Sequence, residues 1–578
     1  MSTLENIQEH FRPPIYYNPK RMELKKNIID DLELVQTIDT CGNTIYSYCL
    51  NTENELSINV TPQLCQYYTT DTDFLKDNQT LLKTYKRQTT CASYKEMLDI
   101  WKEIKTDTGF KEKYYYLDWQ MLEHLNKSEH FLEAMSVYNM ASPIISLFVP
   151  IILLIIPFFV IRMKGLSVTM SEYINVLKVV ISNHAIGKLF TKFNEVSFNE
   201  RIYLVISAAF YVFSIYQNIL VCYRFNNNMY KIHQFLKDTE AYLDNTTATM
   251  NSYLSYSSKL TTHSQFNETV TNNMNILLQY KQAIGGLSEY KLTNYKKALE
   301  IGHVLKYFYQ LYEDPVYNAA FLYSFGFNGY IDCIEGLQIN IEERKVNFAE
   351  FTDDYKKARI VNNYYACLKD AAPVKNTIKF KKNMIITGPN ASGKTTILKS
   401  SLINIILTQQ FGCGFYDSAE LKPYKYIHCY LNIPDTSGRD SLFQAEARRC
   451  KEILDIVDAN KSDGHFCAFD ELYSGTNPEE AVSSATAFMK YLIKNNNLSC
   501  ILTTHFVKVC KKLSKNANIS NCQMVAKKTG NAIKYTYKLD KGISTVKGGV
   551  SVLCDMNYPA EIINNTTKCC TSDKCFIR

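Results

Sequence analysis

Hydrophobic and polar positions give the chain three textures. Up to about residue 133, short stretches with helical spacing alternate with turn-rich segments such as Asp39-Thr-Cys-Gly-Asn43. Ala134 to Ile161 and Ile202 to Tyr223 then contain no charged residue, the first run closed by Arg162 and Lys164 and the second bracketed by Arg201 and Arg224. A bilayer core of about 30 Å takes about 20 helical residues, so both runs, at their most apolar over 142–161 and 202–223, are long enough to span it. Charges at the ends and none inside fit a membrane hairpin with a loop of 40 residues. Buried core helices, or interface helices of an oligomer, are the other reading. Pro143, Pro150 and Pro157 favour the membrane, where neighbouring helices accommodate them. The loop carries Arg162, Lys164, Lys178, Lys188, Lys192 and Arg201 against three glutamates. The positive-inside tendency would hold such a loop in the cytoplasm, and the orientation stays open.

From 226 to about 360, apolar positions recur at three and four, as in MNILLQYKQAIGGL and ALEIGHVLKYFYQLY. These predict long helices, either a lever or clamp arm or ordinary core. Beyond about Thr377, short β-rich runs (TIKF, NMIITG, KYIHCYLNI, HFCAFD, SCILTTH, KYTYKL) alternate with helical stretches, which predicts an α/β sheet. The expected fold class is therefore mixed: a mostly α-helical N-terminal core and lever region with two transmembrane helices, then a C-terminal α/β domain that the run Gly388-Pro-Asn-Ala-Ser-Gly-Lys-Thr395, a G-x-x-x-x-G-K-[ST] phosphate loop, makes a P-loop NTPase. The expected divisions are an N-terminal core (1–133), the hairpin (134–225), the lever (226–365), the ATPase domain (366–565) and a Cys-containing tail (566–578).

With 578 residues, 46% hydrophobic and 21% charged, the chain is neither disordered nor a small disulfide scaffold. A formal charge of +7 permits contact with phosphate without demanding it. Eighteen cysteines without regular spacing, and an N-terminus lacking the apolar core of a signal peptide, point to an intracellular, reducing compartment. Cys554, Cys569, Cys570 and Cys575 form no C-x-x-C pair and have no nearby histidine, which argues against zinc.

Gly388-Pro389-Asn390-Ala391-Ser392-Gly393-Lys394-Thr395, followed by Thr396, fits the phosphate loop G-x-x-x-x-G-K-[ST]. The apolar run 383–387 supplies the preceding strand, and TTILKSSLINIIL the following helix. In such a loop, backbone N–H groups face the phosphates of ATP, Lys394 reaches the β- and γ-phosphates and Thr395 ligates Mg²⁺. His465-Phe-Cys-Ala-Phe469 is an apolar strand ending in Asp470-Glu471. Asp470 can organise the metal while Glu471 polarises the attacking water; in isolation such a pair is as often a solvated turn. A further strand ends at Thr504-His505, where the histidine can sense the γ-phosphate or serve only structure. Between them, a Ser/Gly-rich loop from Asp435 through Gly438 to Ser441 feeds the helix AEARRCKEILDIV, and a serine at a helix start is an anion site or an ordinary N-cap.

These residues together resemble the MutS family of ABC-type ATPases. The resemblance lies in Thr387–Thr395 with its Gly-Pro-Asn, Gly412-Cys-Gly-Phe415 with Ser418-Ala419, Ser441-Leu-Phe443 with Glu446, Asp470-Glu471 with Ser474-Gly-Thr476, and Thr504-His505. Lys541-Gly-Ile-Ser, Gly549-Val-Ser and Tyr558–Ile563 are similar to the family's closing segment, and Val374-Lys-Asn376 to its strand entry. It is specific over 370–565. It implies a homodimer in which ATP sits between one subunit's phosphate loop and the partner's signature helix, with Ser441 acting in trans. Nucleotide state would then set the lever separation, and DNA would be the cargo, in mismatch repair or recombination. Three departures stand out: Asp440 beside the signature serine, no Phe-x-Glu mismatch wedge in the first 140 residues, and the two apolar runs within the arm. The alternative expectation is a membrane-anchored ABC-type ATPase, its ATPase domain on the cytoplasmic side, acting on a protein or lipid partner.

Overall fold

The computed structural model describes the chain apart from residues 1–5, 40–41, 53, 88–93, 166–168, 184–187, 190–192, 196, 288–299, 432–440, 530–531, 547–549, 551–552, 555 and 572–578. Of the positions singled out above, Thr40, Cys41, Lys192, Ala298, Leu299, Asn432, Ile433, Asp435 through Asp440, Gly549, Ser551 and Cys575 lie outside the described residues. The chain forms two compact units, each assembled from separated stretches: residues 90–248 with 274–321, and residues 2–89 with 249–273 and 322–578.

The first unit is helical. Helix Ile301–Glu313 buries Val304, Leu305, Phe308 and Leu311 on one face. It approaches helix Glu129–Met163 so closely that a Cβ on Gly302 would fall 2.2 Å from Glu129 O, so only glycine fits there. Lys105 Nζ donates to the carbonyls of Leu311 and Tyr312 at the C-terminus of that helix, where the dipole favours a cation. Burial pushes its pKa down to about 8. Both apolar runs are helical, within Glu129–Met163 and Phe198–Ser257. Among the described residues one helix, Phe198–Ser257, is long and apolar enough to cross a membrane, where the sequence predicts two. In Glu129–Met163 the side chains at 147 and 149–154 are outside the described set.

Among its described residues the second unit holds thirteen strands in three sheets. β1 (Arg21–Glu23) and β2 (Tyr67–Thr69) pair antiparallel. β3 (Asn347–Phe351), β4 (Arg359–Asn363), β5 (Asn376–Lys379), β7 (Cys413–Gly414) and β8 (Ser418–Leu421) form a sheet ordered β5-β4-β8-β3-β7. β6 (Asn383–Thr387), β9 (Tyr426–Tyr430), β10 (His465–Asp470), β11 (Leu498–Thr504), β12 (Ile519–Thr529) and β13 (Ala532–Lys541) form the central sheet, ordered β13-β12-β6-β11-β10-β9. All its neighbours are parallel except β12 and β13. The six predicted β-rich runs are strands. The helical reading of 226–360 fails at its end, because the helix stops at Glu342 and β3 and β4 follow.

The helix after the phosphate loop, Lys394–Phe411, is buried nearly all round, so its polar side chains must find partners inside. Asn404 Nδ2 donates to Asn363 Oδ1 at 2.7 Å, and its Oδ1 accepts from the Phe415 N–H at 2.7 Å. The C-terminal end is held by the N-terminal segment. Gln410 Nε2 donates to Tyr67 O (2.9 Å) and its Oε1 accepts from the Tyr46 hydroxyl, while Asn78 Nδ2 donates to Gln410 O (2.9 Å). Gln79 Nε2 bonds Gly412 O (2.7 Å) and Ala349 O (2.8 Å). Gly412 ends the helix at φ +76°, and any Cβ there would meet Gln79 Cγ at 2.7 Å.

Candidate nucleotide site

The carboxyl ends of the parallel strands bring the predicted chemistry into one row. Register pairs Asp470 with Thr503 and Thr504 with Thr387, so β10, β11 and β6 end side by side, where open α/β sheets bind ligands. All five residues of β6 are buried, which fixes where the loop begins. In the loop Ala391 (φ +61°) and Gly393 (φ +91°) are left-handed, turning successive N–H groups toward a common centre. Gly388 has no room for a side chain: a Cβ would lie 2.6 Å from Ser392 Oγ and 3.0 Å from Met524 Cβ. Ser392 Oγ is itself buried without a hydrogen-bond partner.

Lys394 is 6% exposed, and its Nζ donates to the loop carbonyls of Gly388 (3.1 Å) and Pro389 (3.2 Å). Burial lowers its pKa, opposed by Glu471 and Asp470. Thr395 Oγ1 donates to Asp470 Oδ2 at 2.8 Å, and Thr503 Oγ1 donates to Asp470 Oδ1. Glu471 takes a left-handed backbone (φ +50°) pinned by its N–H to Thr503 O at 3.0 Å. This turn costs of order 1–3 kcal/mol and clusters with Tyr473 (φ +58°). The Glu471 carboxylate lies 3.5 Å from His505 Nδ1 and 3.9 Å from Lys394 Nζ. The hydrogen bond from His505 lowers its pKa despite burial, with further help from the charge of Lys394.

A cavity of about 710 Å³ opens beside these groups. Asn390 through Thr396, Asp470 and Glu471 line one part of it; Tyr365, Leu368, Pro373, Val374, Met524 and Tyr537 line the rest. His505 touches Glu471 but is not a lining residue, and Gly388 and Pro389 shape the loop from beneath. Sequence reading missed Tyr365, Leu368, Pro373, Met524 and Tyr537. Tyr537 stands over the loop, 3.3 Å from where a Gly393 Cβ would be, with its carbonyl accepting from Asn376 Nδ2 at 2.9 Å. The Tyr535-Thr-Tyr537 alternation was the available signal, but it does not say which face meets the loop.

Ser441 caps helix Leu442–Ala459 in a reciprocal box: its Oγ accepts from the Gln444 N–H (3.3 Å), and Gln444 Oε1 accepts from the Ser441 N–H (3.0 Å). It is not among the cavity's lining residues. Glu446 in the same helix is 2% exposed and accepts from the Ser474 N–H (3.1 Å), the Ser474 hydroxyl (2.9 Å) and the Gly475 N–H (3.2 Å). The signature helix is thereby tied to the loop that follows Asp470-Glu471. For a divalent cation the fitting donors are the Thr395 hydroxyl and the Asp470 carboxylate, both hard oxygen ligands. Among the described residues no group of three or more His, Cys, Asp or Glu suits a metal. A cation held here would complete its shell with water or substrate oxygens.

Residues 384–572 match the family model for MutS domain V. Over 231 residues, 39% of this chain, the sequence is 26% identical to a DNA mismatch repair protein MutS of Persephonella marina. It is 24% identical over 218 residues (37% of the chain) to an Endonuclease MutS2 of Streptococcus equi, and 32% identical over 171 residues (28%) to the human MutS protein homolog 4. The chain spans 26%, 27% and 18% of the length of these three relatives. The C-terminal part of the chain thus carries the domain V of MutS proteins, and it is this part that is similar to them.

Proposed function

We propose that this protein is an ATPase that hydrolyses Mg-ATP at sites shared between two copies and couples turnover to DNA held by its helical arms, in mismatch repair or recombination. The observation that carries the reading is the convergence of Lys394, Thr395, Asp470 and Glu471 on one cavity beside a left-handed phosphate loop. Lys394 exchanges its two loop carbonyls for phosphate oxygens. Mg²⁺, when bound at Thr395 and Asp470, would neutralise phosphate charge and act as a Lewis acid. Glu471, kept ionised by His505 and Lys394, orients a water and accepts its proton. Ser441, exposed at its helix N-terminus, faces the partner copy's phosphate loop in trans. The name of the Persephonella marina relative, a DNA mismatch repair protein, supports DNA as cargo, and a net charge of +7 suits it.

Glu471→Gln is the direct test: nucleotide binding persists and orthophosphate release falls by at least a hundredfold. Equal turnover by variant and wild type removes Glu471 from its role. Gel shifts with duplex, mismatched and junction DNA across a salt series test the cargo, since phosphate-driven affinity falls steeply as salt rises.

A second reading keeps the ATPase and replaces DNA by a protein or lipid partner at a membrane. What favours it is the set of exposed apolar side chains at Ile144, Phe148, Ile155, Phe159, Phe210 and Phe213.

A further inference from the structure

Large exposed apolar side chains are concentrated in one stretch. Between Val137 and Tyr223 they include Ile144, Phe148, Ile155, Phe159, Phe210 and Phe213, all 43–69% exposed. Helix Phe198–Ser257 changes character within itself. From Phe225 onward it buries Phe225, Met229, Ile232, Leu236, Thr239 and Leu243 at spacings of three and four, the stripe of a helix packed on one side. From Ile202 to Tyr223 there is no such stripe. Apolar side chains on adjoining faces, such as Tyr203, Val205, Phe210 and Val212, are open, and 6% of the most apolar window is buried. A single partner helix would cover one stripe; a surface apolar on so many sides calls for an apolar solvent.

The two helices also share a register. Cys222 Sγ lies 3.6 Å from Met140 O, placing the lower ends of both runs at one level. From there, 22 residues to Arg162 and 21 back to Arg201 rise about 33 and 32 Å at 1.5 Å per residue, matching a hydrocarbon core of about 30 Å. At the far end Arg162, Lys164 and Arg201 form a basic rim suited to phosphate headgroups. Helix Met170–Asn183 closes over that end, its Tyr173 buried against Phe158 with ring centres 4.8 Å apart. The Ser142 hydroxyl donates at 3.1 Å to Asn139 O, the carbonyl that Pro143 deprives of its helical N–H. That is how proline is accommodated in a membrane helix.

We infer that residues 140–162 and 201–222 cross a lipid bilayer as a hairpin of matched height. The packed part of the long helix begins where the lipid ends, and Arg162, Lys164 and Arg201 mark the opposite face of the membrane. The inference deepens the lipid form of the second reading and is independent of the nucleotide chemistry, so ATP turnover serves as a separate control.

The test uses the full chain. Cell membranes are washed in 1 M salt and then alkaline carbonate, and purified protein is floated with phosphatidylcholine–phosphatidylglycerol liposomes. Retention through both washes, flotation insensitive to salt, and protection of Lys178 and Lys188 from external trypsin until detergent is added are the expected results. The double substitution Ile155→Arg with Phe213→Arg lowers the membrane-bound fraction at least tenfold while ATP turnover stays within twofold, which shows that the protein still folds. Release into the carbonate supernatant, flotation abolished by 1 M salt, cleavage at Lys178 before detergent, or a liposome-independent oligomer dissociated by the double variant would each overturn the inference. The last would assign the apolar surface to a second copy of this chain.

Discussion

Glu446 offers the sharpest test of how the site is held. It is a buried carboxylate accepting three hydrogen bonds from Ser474 and Gly475. Hydrogen bonds to a charged group contribute about 1.5–3 kcal/mol each, but the sum overstates the effect. Ser474 is exposed, so water can replace one acceptor, and removing a buried charge recovers part of its desolvation cost. A net loss of about 3 kcal/mol is expected for Glu446→Ala, roughly a hundredfold in the local opening equilibrium. Glu446→Gln, which keeps one acceptor oxygen, falls between. Tryptophan fluorescence will not report it, because Trp101 and Trp119 both lie in the other unit. Hydrogen exchange of a peptide covering 471–477 will: the Gly475 amide exchanges about a hundredfold faster in the alanine variant. Because Ser474, the first residue that Glu446 holds, lies three positions after Glu471, kcat for ATP falls while nucleotide affinity holds. Unchanged protection of 471–477 in both variants would show that the signature helix does not restrain this loop.

Three further outcomes follow from the charges. His505→Asn removes the hydrogen bond that depresses Glu471, so the acid limb of the kcat/KM profile, below 4.5 in the wild type, moves upward; an unmoved limb would separate the two residues. Asp31 is raised to about 6 by burial, a shift that Arg449 and Lys399 only partly offset. Its contribution to stability is therefore present below 3.8 and lost as pH rises through 6, so Asp31→Asn raises Tm at pH 8 and gives no gain at pH 3.5. His263, buried against Phe74 with ring centres 5.3 Å apart, is lowered to about 4 by burial. Its neutral form stabilises the fold above 6.5, and up to about 3 kcal/mol is lost as pH falls toward 4. His263→Phe flattens that part of the urea-midpoint profile, and an identical slope in the variant would refute the assignment.

The phosphate loop, Asp470 and Glu471 were legible because their geometry is local: strand, turn and helix are written within a dozen residues, and an apolar strand ending in an acidic pair needs no distant partner to be seen. Tyr537 and Met524 were not: KYTYKL reads as a strand, but its arrival beside the loop depends on β12 pairing with β6 and β13 with β12, which no local pattern states. β3 and β4 were absorbed into a predicted helix since NFAEF and RIVNN are short and half-buried. Gln409 and Gln410 are polar residues on a helix and would be assigned to solvent. Both are about 2% exposed, because the N-terminal segment supplies their acceptors from more than 300 positions away.

That last miss changes what counts as the nucleotide-binding module. The family match begins at residue 384, yet the left-handed turn at the non-glycine Ala391 persists only where surrounding structure over-determines it. Its anchor is the helix from Lys394 to Phe411. Its far end is fixed by Tyr46, Tyr67, Asn78 and Gln79, and its flank by Asn363 and Tyr364. A helix buried nearly all round cannot shift to relieve strain at its N-terminus without breaking those bonds at its C-terminus. The phosphate loop is thus preorganised by residues outside the matched segment, among them Tyr46, Tyr67, Asn78 and Gln79 from an N-terminal stretch that carries no catalytic motif.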